Sequence, residues 1–260
     1  MSQIAQSIPV RSILEEDDNI SEEIIKKLLV REDLNHLLLS DIDDLIDSLA
    51  LDFSDVLQIT TIGFTTQQRP IRMIEIDARG YFMNPEHRNY SYSIKPAILL
   101  TGAHHARELA SIQMPLYSIL RMLQGGILKG EDKYRKMLIQ NKYYVVPVVN
   151  VDGLAYIEEQ FLQTGKISLK RKNMNMKYLE RCNNDPEATG VDLNRNYGVS
   201  WDKPGGSSTD PCEESYRGEQ PFSEPETRAI RDFLISHQDE IKFVYNFHSY
   251  GNMYLWPFNG

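Results

Sequence analysis

The spacing of hydrophobic residues changes near residue 56. Before it, Ile and Leu recur at helical intervals between carboxylates in "SEEIIKKLLV" (21–30) and "SDIDDLIDSLALDF" (40–53), a pattern typical of amphipathic helices. After it, short apolar runs rich in β-branched residues alternate with helical stretches. The runs predict strands at 56–64, 71–78, 96–103, 143–151 and 241–249. The stretches predict helices at 107–124, 130–141 and 223–237.

This alternation indicates the fold class. Several predicted strands are so uniformly apolar that both of their faces must be covered. Strands alternating with helices predict an α/β fold, with a mixed, largely parallel sheet and helices on both faces. A chain of 260 residues suits one main domain. We expect an acidic N-terminal extension over residues 1–35 and a single globular domain over 36–260.

The net charge of −9 is unevenly distributed. Residues 1–56 hold 14 Asp and Glu against 4 Lys and Arg, which leaves 23 against 24 in the rest of the chain. We interpret the acidic positions as solvated helix faces, with an acidic docking surface as the alternative. No basic stripe indicates nucleic-acid binding. No apolar run is long enough to predict a membrane span, and the first residues lack the features of a secretory signal.

Ionisable residues follow two predicted strands directly. "TGAHHARELAS" (101–111) follows one, and "NFHSY" (246–250) lies at the end of another. In open α/β sheets, ligands bind outside the carboxyl ends of the strands. His105 and Glu108 can face one point there, and His248 can supply a third ligand. Such a set predicts one zinc ion with a free position for water, whose pKa zinc lowers toward ~7.

The other histidines carry weaker signals. We expect His104 to be a hydrogen-bonded structural residue. His36, His87 and His237 lie in helical or loop surroundings without a partnering motif, so we do not expect them to bind metal.

Four motifs together resemble the zinc metallocarboxypeptidase family, in its carboxypeptidase A branch: "GAHHARE", "RKN", "GVDLNRNY" and "FHSYG". The resemblance runs from about residue 41 to the last residue. Carboxypeptidase A is itself a known example of a His₂Glu zinc site. The resemblance implies that His105, Glu108 and His248 are the zinc ligands and that Asp192 orients a ligand histidine.

Substrate-binding roles are also implied by the resemblance. Asn194 and Arg195 match the pair that grips the free C-terminal carboxylate of a peptide. Arg171 matches the arginine that polarises the scissile carbonyl and stabilises the oxyanion, and Arg107 matches a subsite arginine. The alternative for these four residues is a surface salt bridge or a turn contact. Lys170 departs from the pattern, because relatives commonly carry an aromatic residue at this position.

The resemblance further implies substrate contacts from Ser249 and Tyr250, with a cis peptide bond between them. It also implies a disulfide between Cys182 and Cys212, and two reduced thiols are the alternative. A disulfide favours an extracellular or endomembrane-lumen location, whereas the missing secretory signal fits a reducing compartment.

One catalytic residue of the family has no match. The resemblance implies a general-base glutamate downstream of the third ligand, yet residues 249–260 contain none. The chain's upstream glutamates Glu213, Glu214, Glu219 and Glu224 precede His248 and cannot take that place. We therefore expect the catalytic domain at 36–260 to be incomplete at its C-terminus, missing strands and helices.

Three functions remain open. The first is zinc-dependent hydrolysis of the C-terminal peptide bond of peptides or proteins by a monomer. The second is an inactive remnant that binds zinc or peptides. The third is a zinc deacylase of acyl amino acids, which the Asn194–Arg195 pair and the two cysteines disfavour.

Overall fold

The computed structural model describes residues 9–15, 25, 28–31, 34–82 and 95–256. Its helices are α1 (Val10–Glu15), α2 (Leu39–Asp52), α3 (Arg79–Phe82), α4 (Ala110–Met122), α5 (Asp132–Gln140), α6 (Val151–Thr164) and α7 (Pro225–Ser236). Its strands are β1 (Leu57–Phe64), β2 (Pro70–Ile76), β3 (Ala97–Thr101), β4 (Lys142–Val146) and β5 (Ile241–Asn246). A π-helical segment, Leu123–Leu128, extends α4, and two 3-10 turns span Met176–Tyr178 and Leu193–Arg195.

The five strands form one mixed sheet in the order β1-β2-β4-β3-β5. β1 and β2 are antiparallel, as are β2 and β4, whereas β3 is parallel to both β4 and β5. The predicted mixed α/β sheet is confirmed. Four of the five residues of β3 are buried, as its uninterrupted apolar sequence requires for an inner strand. β3, β4 and β5 therefore end at the same edge of the sheet.

The N-terminal part packs onto this domain. The predicted helix at 40–53 is α2, which buries an apolar stripe containing Ile42, Ile46 and Leu49. A hydrogen bond links α1 to α2: the Arg11 amide donates to Asp52 Oδ2 at 2.8 Å. Most of the helix predicted at 21–30 lies outside the described residues.

Several predicted boundaries are wrong; the strand predicted over 241–249, for example, ends at Asn246. Two of these errors, both beside strand ends, have a visible cause. The helix predicted from 107 begins at Ala110, because the preceding residues form a tight corner in which the Glu108 amide donates to the His105 carbonyl at 3.1 Å. The strand predicted over 143–151 ends at Val146, just before Pro147, which has no N–H for a sheet hydrogen bond. The sequence patterns above missed α6.

β5 forms one outer edge of the sheet and is largely exposed. Phe243, Val244 and Tyr245 keep 60%, 44% and 51% of their surface accessible. The segment after it is also exposed, including Tyr254 and Trp256. An apolar edge strand without a neighbour favours association with another chain. Within the described ranges, no helix combines the length and the apolar composition needed to cross a bilayer.

Cys182 and Cys212 form a disulfide, as predicted, with Cα atoms 5.3 Å apart. The bridge closes a loop with a sequence separation of 30. Cross-links of this span stabilise a fold by roughly 3 to 4 kcal/mol on the chain-entropy estimate. The loop between the two cysteines carries Asp192, Asn194 and Arg195.

Candidate metal centre

The carboxyl ends of β3 and β5 meet. Thr101 pairs with Asn246 in the parallel register, and Thr101 Oγ1 donates to Asn246 Oδ1 at 2.5 Å. The Phe247 amide continues this pairing by donating to the Thr101 carbonyl at 2.8 Å. Residues that leave these two strands are therefore close in space, although about 140 positions separate them.

The chain turns sharply after β3. A Cβ atom on Gly102 would lie 2.5 Å from the Ser111 carbonyl oxygen and 2.7 Å from that of Pro147, so only glycine fits there. Ser111 closes the corner, because its Oγ accepts from the Ala103 amide at 2.9 Å and donates to the Glu108 carbonyl at 2.6 Å. This corner directs His105 and Glu108 toward the end of β5.

The structure brings His105, Glu108 and His248 together. Their nearest potential ligand atoms all lie within 4.8 Å of one another. Glu108 is central: Oε1 lies 2.7 Å from His105 Nδ1, and Oε2 lies 2.9 Å from His248 Nδ1. Two imidazoles and a carboxylate are a donor set that suits zinc, and one ion with bonds of about 2.0–2.2 Å could be shared by them. The His248 side chain is 33% exposed, so the cluster is open to solvent on that side.

Asp192 fixes the orientation of His105. Asp192 Oδ1 lies 3.1 Å from His105 Nε2, which leaves Nδ1 directed at the cluster. Burial alone would lower the pKa of His105, but its hydrogen bonds with Asp192 and Glu108 raise it. Burial alone would raise the pKa of Glu108, but hydrogen bonds from His105 and His248 hold it well below its usual range. The Glu108 carboxylate is therefore ionised at neutral pH.

Arg171 reaches the same cluster from another segment. Its Nε and Nη2 donate to Asp192 Oδ2 at 3.1 and 2.8 Å. Its Nη1 lies 3.9 Å from Glu108 Oε1. A guanidinium thus lies beside the candidate ligands and is held by the carboxylate that also orients His105.

Asn150 connects these segments, and the sequence reasoning missed it. The Asn150 side chain is fully buried. Its Nδ2 donates to the carbonyls of His104 at 3.4 Å and Arg171 at 3.3 Å. Its Oδ1 caps α6 by accepting from the Gly153 amide. Its place at the end of an apolar run followed by Gly153 was the available signal. Asn150 joins the corner after β3 to the segment that carries Arg171.

Asn194 and Arg195 lie on the 3-10 turn that Asp192 caps. Asp192 Oδ1 accepts from the Asn194 amide at 2.9 Å. Arg195 Nη1 donates to the Asn194 carbonyl at 3.2 Å, while its Nε is buried without a partner among the described residues. Burial alone would raise the pKa of Asp192, but the hydrogen bond with His105 and the charges of His105, Arg171 and Arg195 lower it. The charge of Arg195 therefore acts on Asp192, the carboxylate that orients His105.

Arg107 forms a bidentate pair with Glu214, with Nη1–Oε1 and Nη2–Oε2 distances of 2.7 and 3.1 Å. This pair joins the corner after β3 to the residue two positions beyond Cys212. A role of Arg107 as a substrate subsite stays a prediction. Glu214 carries no sequence signal of its own.

Ser249 and Tyr250 follow His248. The Ser249 amide donates to Glu108 Oε2 at 3.0 Å, and the Tyr250 side chain is exposed. The peptide bond between them is cis, as the resemblance implied. Their contacts with a substrate stay predictions.

The remaining histidines have other partners. His104 is buried and lies 2.8 Å from the Tyr197 hydroxyl through Nε2, and burial lowers its pKa to about 3. His36 contacts Gln113, and His237 contacts Ser236 and the Phe233 carbonyl. His87 lies outside the described residues.

A buried carboxyl group, that of Glu226, contacts Asn173, two residues after Arg171. Glu226 is fully buried; Oε2 accepts from Asn173 at 3.3 Å, and Oε1 has no partner among the described residues. Burial and the neighbouring charges of Glu224 and Asp152 raise the pKa of Glu226 to about 8.

This raised pKa predicts a pH-dependent stability. Between pH 4.5 and 8 the native Glu226 keeps a proton that the unfolded chain releases, so the free energy of unfolding falls as pH rises through this window. We expect Glu226→Gln to stabilise the protein at pH 9 by on the order of 3 to 5 kcal/mol, with the gain shrinking as pH falls through this window and small at pH 5. Urea unfolding at several pH values measures it, with the exposed Glu159→Gln as control. An equal effect at pH 5 and pH 9 would contradict the assignment.

Comparisons with known proteins agree on one family. The sequence model of the family described as "Zinc carboxypeptidase" matches residues 42–260. Human mast cell carboxypeptidase A is 33% identical over 198 residues, covering 76% of this chain and 41% of that protein. Carboxypeptidase B of Astacus astacus is 27% identical, covering 82% and 60%.

Solved structures show the same fold. A crystal structure of thrombin activatable fibrinolysis inhibitor matches 93% of this chain and 53% of that chain, with a TM-score of 0.67 and 25% identity. Carboxypeptidase A from Helicoverpa armigera matches 91% and 54%, with a TM-score of 0.66 and 24% identity. The chain spans about half the length of the curated relatives it matches. With the family sequence match covering most of its length, this chain belongs to the zinc carboxypeptidase family.

Proposed function

We propose that this chain is the metal-binding part of a zinc metallocarboxypeptidase that hydrolyses the C-terminal peptide bond of peptides or proteins. The observation that carries the proposal is the convergence of His105, Glu108 and His248 beside two arginine-bearing segments. A bound zinc ion would polarise the scissile carbonyl and acidify a water molecule. Family membership supports zinc as the metal.

The chain's own residues would then divide the work. Asp192 would accept a hydrogen bond from His105 Nε2, which would leave the Nδ1 lone pair free to bind zinc. Arg171 would donate to the carbonyl oxygen as negative charge develops there, since its guanidinium is already held 3.9 Å from Glu108. Arg195, with a buried Nε that lacks a partner in the described part of the chain, would bind the terminal carboxylate with Asn194.

Other features bear on location and activity. The Cys182–Cys212 disulfide supports an extracellular or endomembrane-lumen location for a monomeric enzyme. The alternative function is an inactive zinc- or peptide-binding remnant without a general-base glutamate; residues 249–260 contain none.

Peptide binding distinguishes both proposals, the enzyme and the peptide-binding remnant, from an unrelated role. The zinc-loaded chain should bind an N-acylated dipeptide with a free carboxylate and reject its amide. Arg195→Gln should weaken binding of the free acid by about 10- to 100-fold, because hydrogen bonds to charged groups contribute roughly 1.5 to 3 kcal/mol. Calorimetry measures this, and the matched control is Arg181→Gln, which replaces an exposed arginine directly before Cys182. Equal affinity for acid and amide in the wild-type chain would reject a carboxypeptidase site.

A further inference from the structure

Two buried lysines flank the arginine of the candidate site. Lys170 and Lys172 are 0% and 1% exposed, although lysine is among the residues least often buried. They occupy alternate positions around Arg171 in the sequence "LKRKN". Burial and the charge of Lys172 lower the pKa of Lys170 to about 7, and burial lowers that of Lys172 to about 8. Each ammonium group therefore carries a substantial desolvation cost.

The hydrogen bonds of the two lysines end on backbone carbonyls. Lys170 Nζ donates to Pro186 at 2.5 Å and to Thr189. Lys172 Nζ donates to Pro211 and Glu213, both at 2.8 Å. Pro186 and Thr189 follow Cys182, whereas Pro211 and Glu213 flank Cys212. The two side chains thus attach one short segment to both arms of the disulfide loop.

Backbone contacts hold the same segment from its other sides. The Arg171 carbonyl accepts from the Ala106 amide at 3.2 Å and from Asn150 Nδ2 at 3.3 Å. The Asn173 amide donates to Val191 at 3.0 Å. Next to it, a Cβ atom on Gly190 would lie 2.1 Å from the Asn173 carbonyl oxygen, which brings the loop and the segment into direct contact.

We propose that Lys170 and Lys172 are positioning residues that hold the Arg171 guanidinium against Asp192 and Glu108 by anchoring its segment to both arms of the disulfide loop. The role of Arg171 in this inference rests on the proposed function, but the anchoring itself can be tested without catalysis. Arg171 contacts Asp192 through two of its nitrogens, and Asp192 belongs to the same loop that the lysines grip. A small displacement between segment and loop would therefore separate the guanidinium from its carboxylate.

Nuclear magnetic resonance of the full chain labelled with nitrogen-15 arginine gives the direct measurement. The Nε–H signal of Arg171, assigned by its loss in Arg171→Lys, reports the hydrogen bond to Asp192 Oδ2. In Lys170→Met and in Lys172→Met we expect this signal to shift and its hydrogen to exchange with water at least about 10-fold faster. The exposed Lys166→Met is the matched control and should leave the signal unchanged.

Conservative variants keep the test decisive if a methionine variant does not fold. Lys170→Gln and Lys172→Gln retain an NH₂ donor in a shorter side chain and should give an intermediate exchange rate. An Arg171 signal identical to wild type in folded variants at both positions would overturn the proposal. A longer form of the protein with peptidase activity adds a second readout: the lysine variants should lower kcat and leave KM unchanged, as loss of an oxyanion contact does. Because the Nε–H signal does not depend on turnover, its outcome stands apart from the success or failure of the proposed function.

Discussion

Replacing Glu108 with glutamine, or His248 with alanine, is expected to weaken zinc binding by roughly 10²- to 10⁴-fold. Loss of a residue that only orients a ligand typically costs 10- to 100-fold, and loss of a ligand should exceed that. Glu108 contacts both histidines in the structure, so its substitution removes a donor and also releases the two rings. Competition with a chromogenic chelator measures the affinity.

Two further variants give a scale for this result: Asp192→Asn should weaken zinc binding less, and His36→Gln should not weaken it. Asp192→Asn keeps the size of the side chain but disturbs the hydrogen bond to His105 Nε2, so it should fall in the 10- to 100-fold range. His36 contacts Gln113 and is not one of the clustered ligands, so its substitution should leave zinc affinity unchanged. Wild-type affinity in Glu108→Gln would remove the carboxylate from the ligand set.

The strand ends were the most predictable part of the molecule. Uniformly apolar sequences such as "AILL" require an inner strand, and the polar residues directly after β3 and β5 could therefore be assigned to one edge of the sheet. The convergence of His105, Glu108 and His248 follows from this topology, because parallel neighbours must end together.

Local boundaries were less predictable, since tertiary contacts decide them. α4 begins at Ala110 and not at 107, because hydrogen bonds of Ser111 close the corner before the helix. The apolar periodicity gives no sign of these hydrogen bonds. The apolar run at 143–151 continues past β4 into the cap of α6, where Asn150 ends the pattern with a buried side chain. Periodicity cannot separate a buried strand from the start of a buried helix over so short a run.

The contacts of Arg107 and of the two buried lysines could not be predicted from sequence. Glu214, Pro186 and Pro211 belong to a long loop without helical or strand periodicity, so their partners depend on how the disulfide folds that loop back. Resemblance gave Arg171 its expected role, but it gave no partner for Lys170, where the chain departs from the family pattern.

Hydrolysis of C-terminal peptide bonds by residues 1–260 is expected to be roughly 10²- to 10⁴-fold slower than by an extended form that carries a general-base glutamate downstream of His248. A positioned general base contributes a factor of this size. The candidate ligands and Arg171 are assembled, but residues 249–260 contain no glutamate that could accept a proton from the metal-bound water.

The outer strand gives the same comparison a second readout. Phe243 and Tyr245 are exposed on β5, with ring centroids 6.5 Å apart, so the short form should self-associate through this edge. Additional strands in the extended form should cover these rings and yield a monomer by light scattering.

Both forms are loaded with zinc and assayed for release of a C-terminal residue, with Glu108→Gln in each as the blank. Full activity in the short form would contradict the prediction, because a glutamate upstream of His248 or water alone would then have to act as the base.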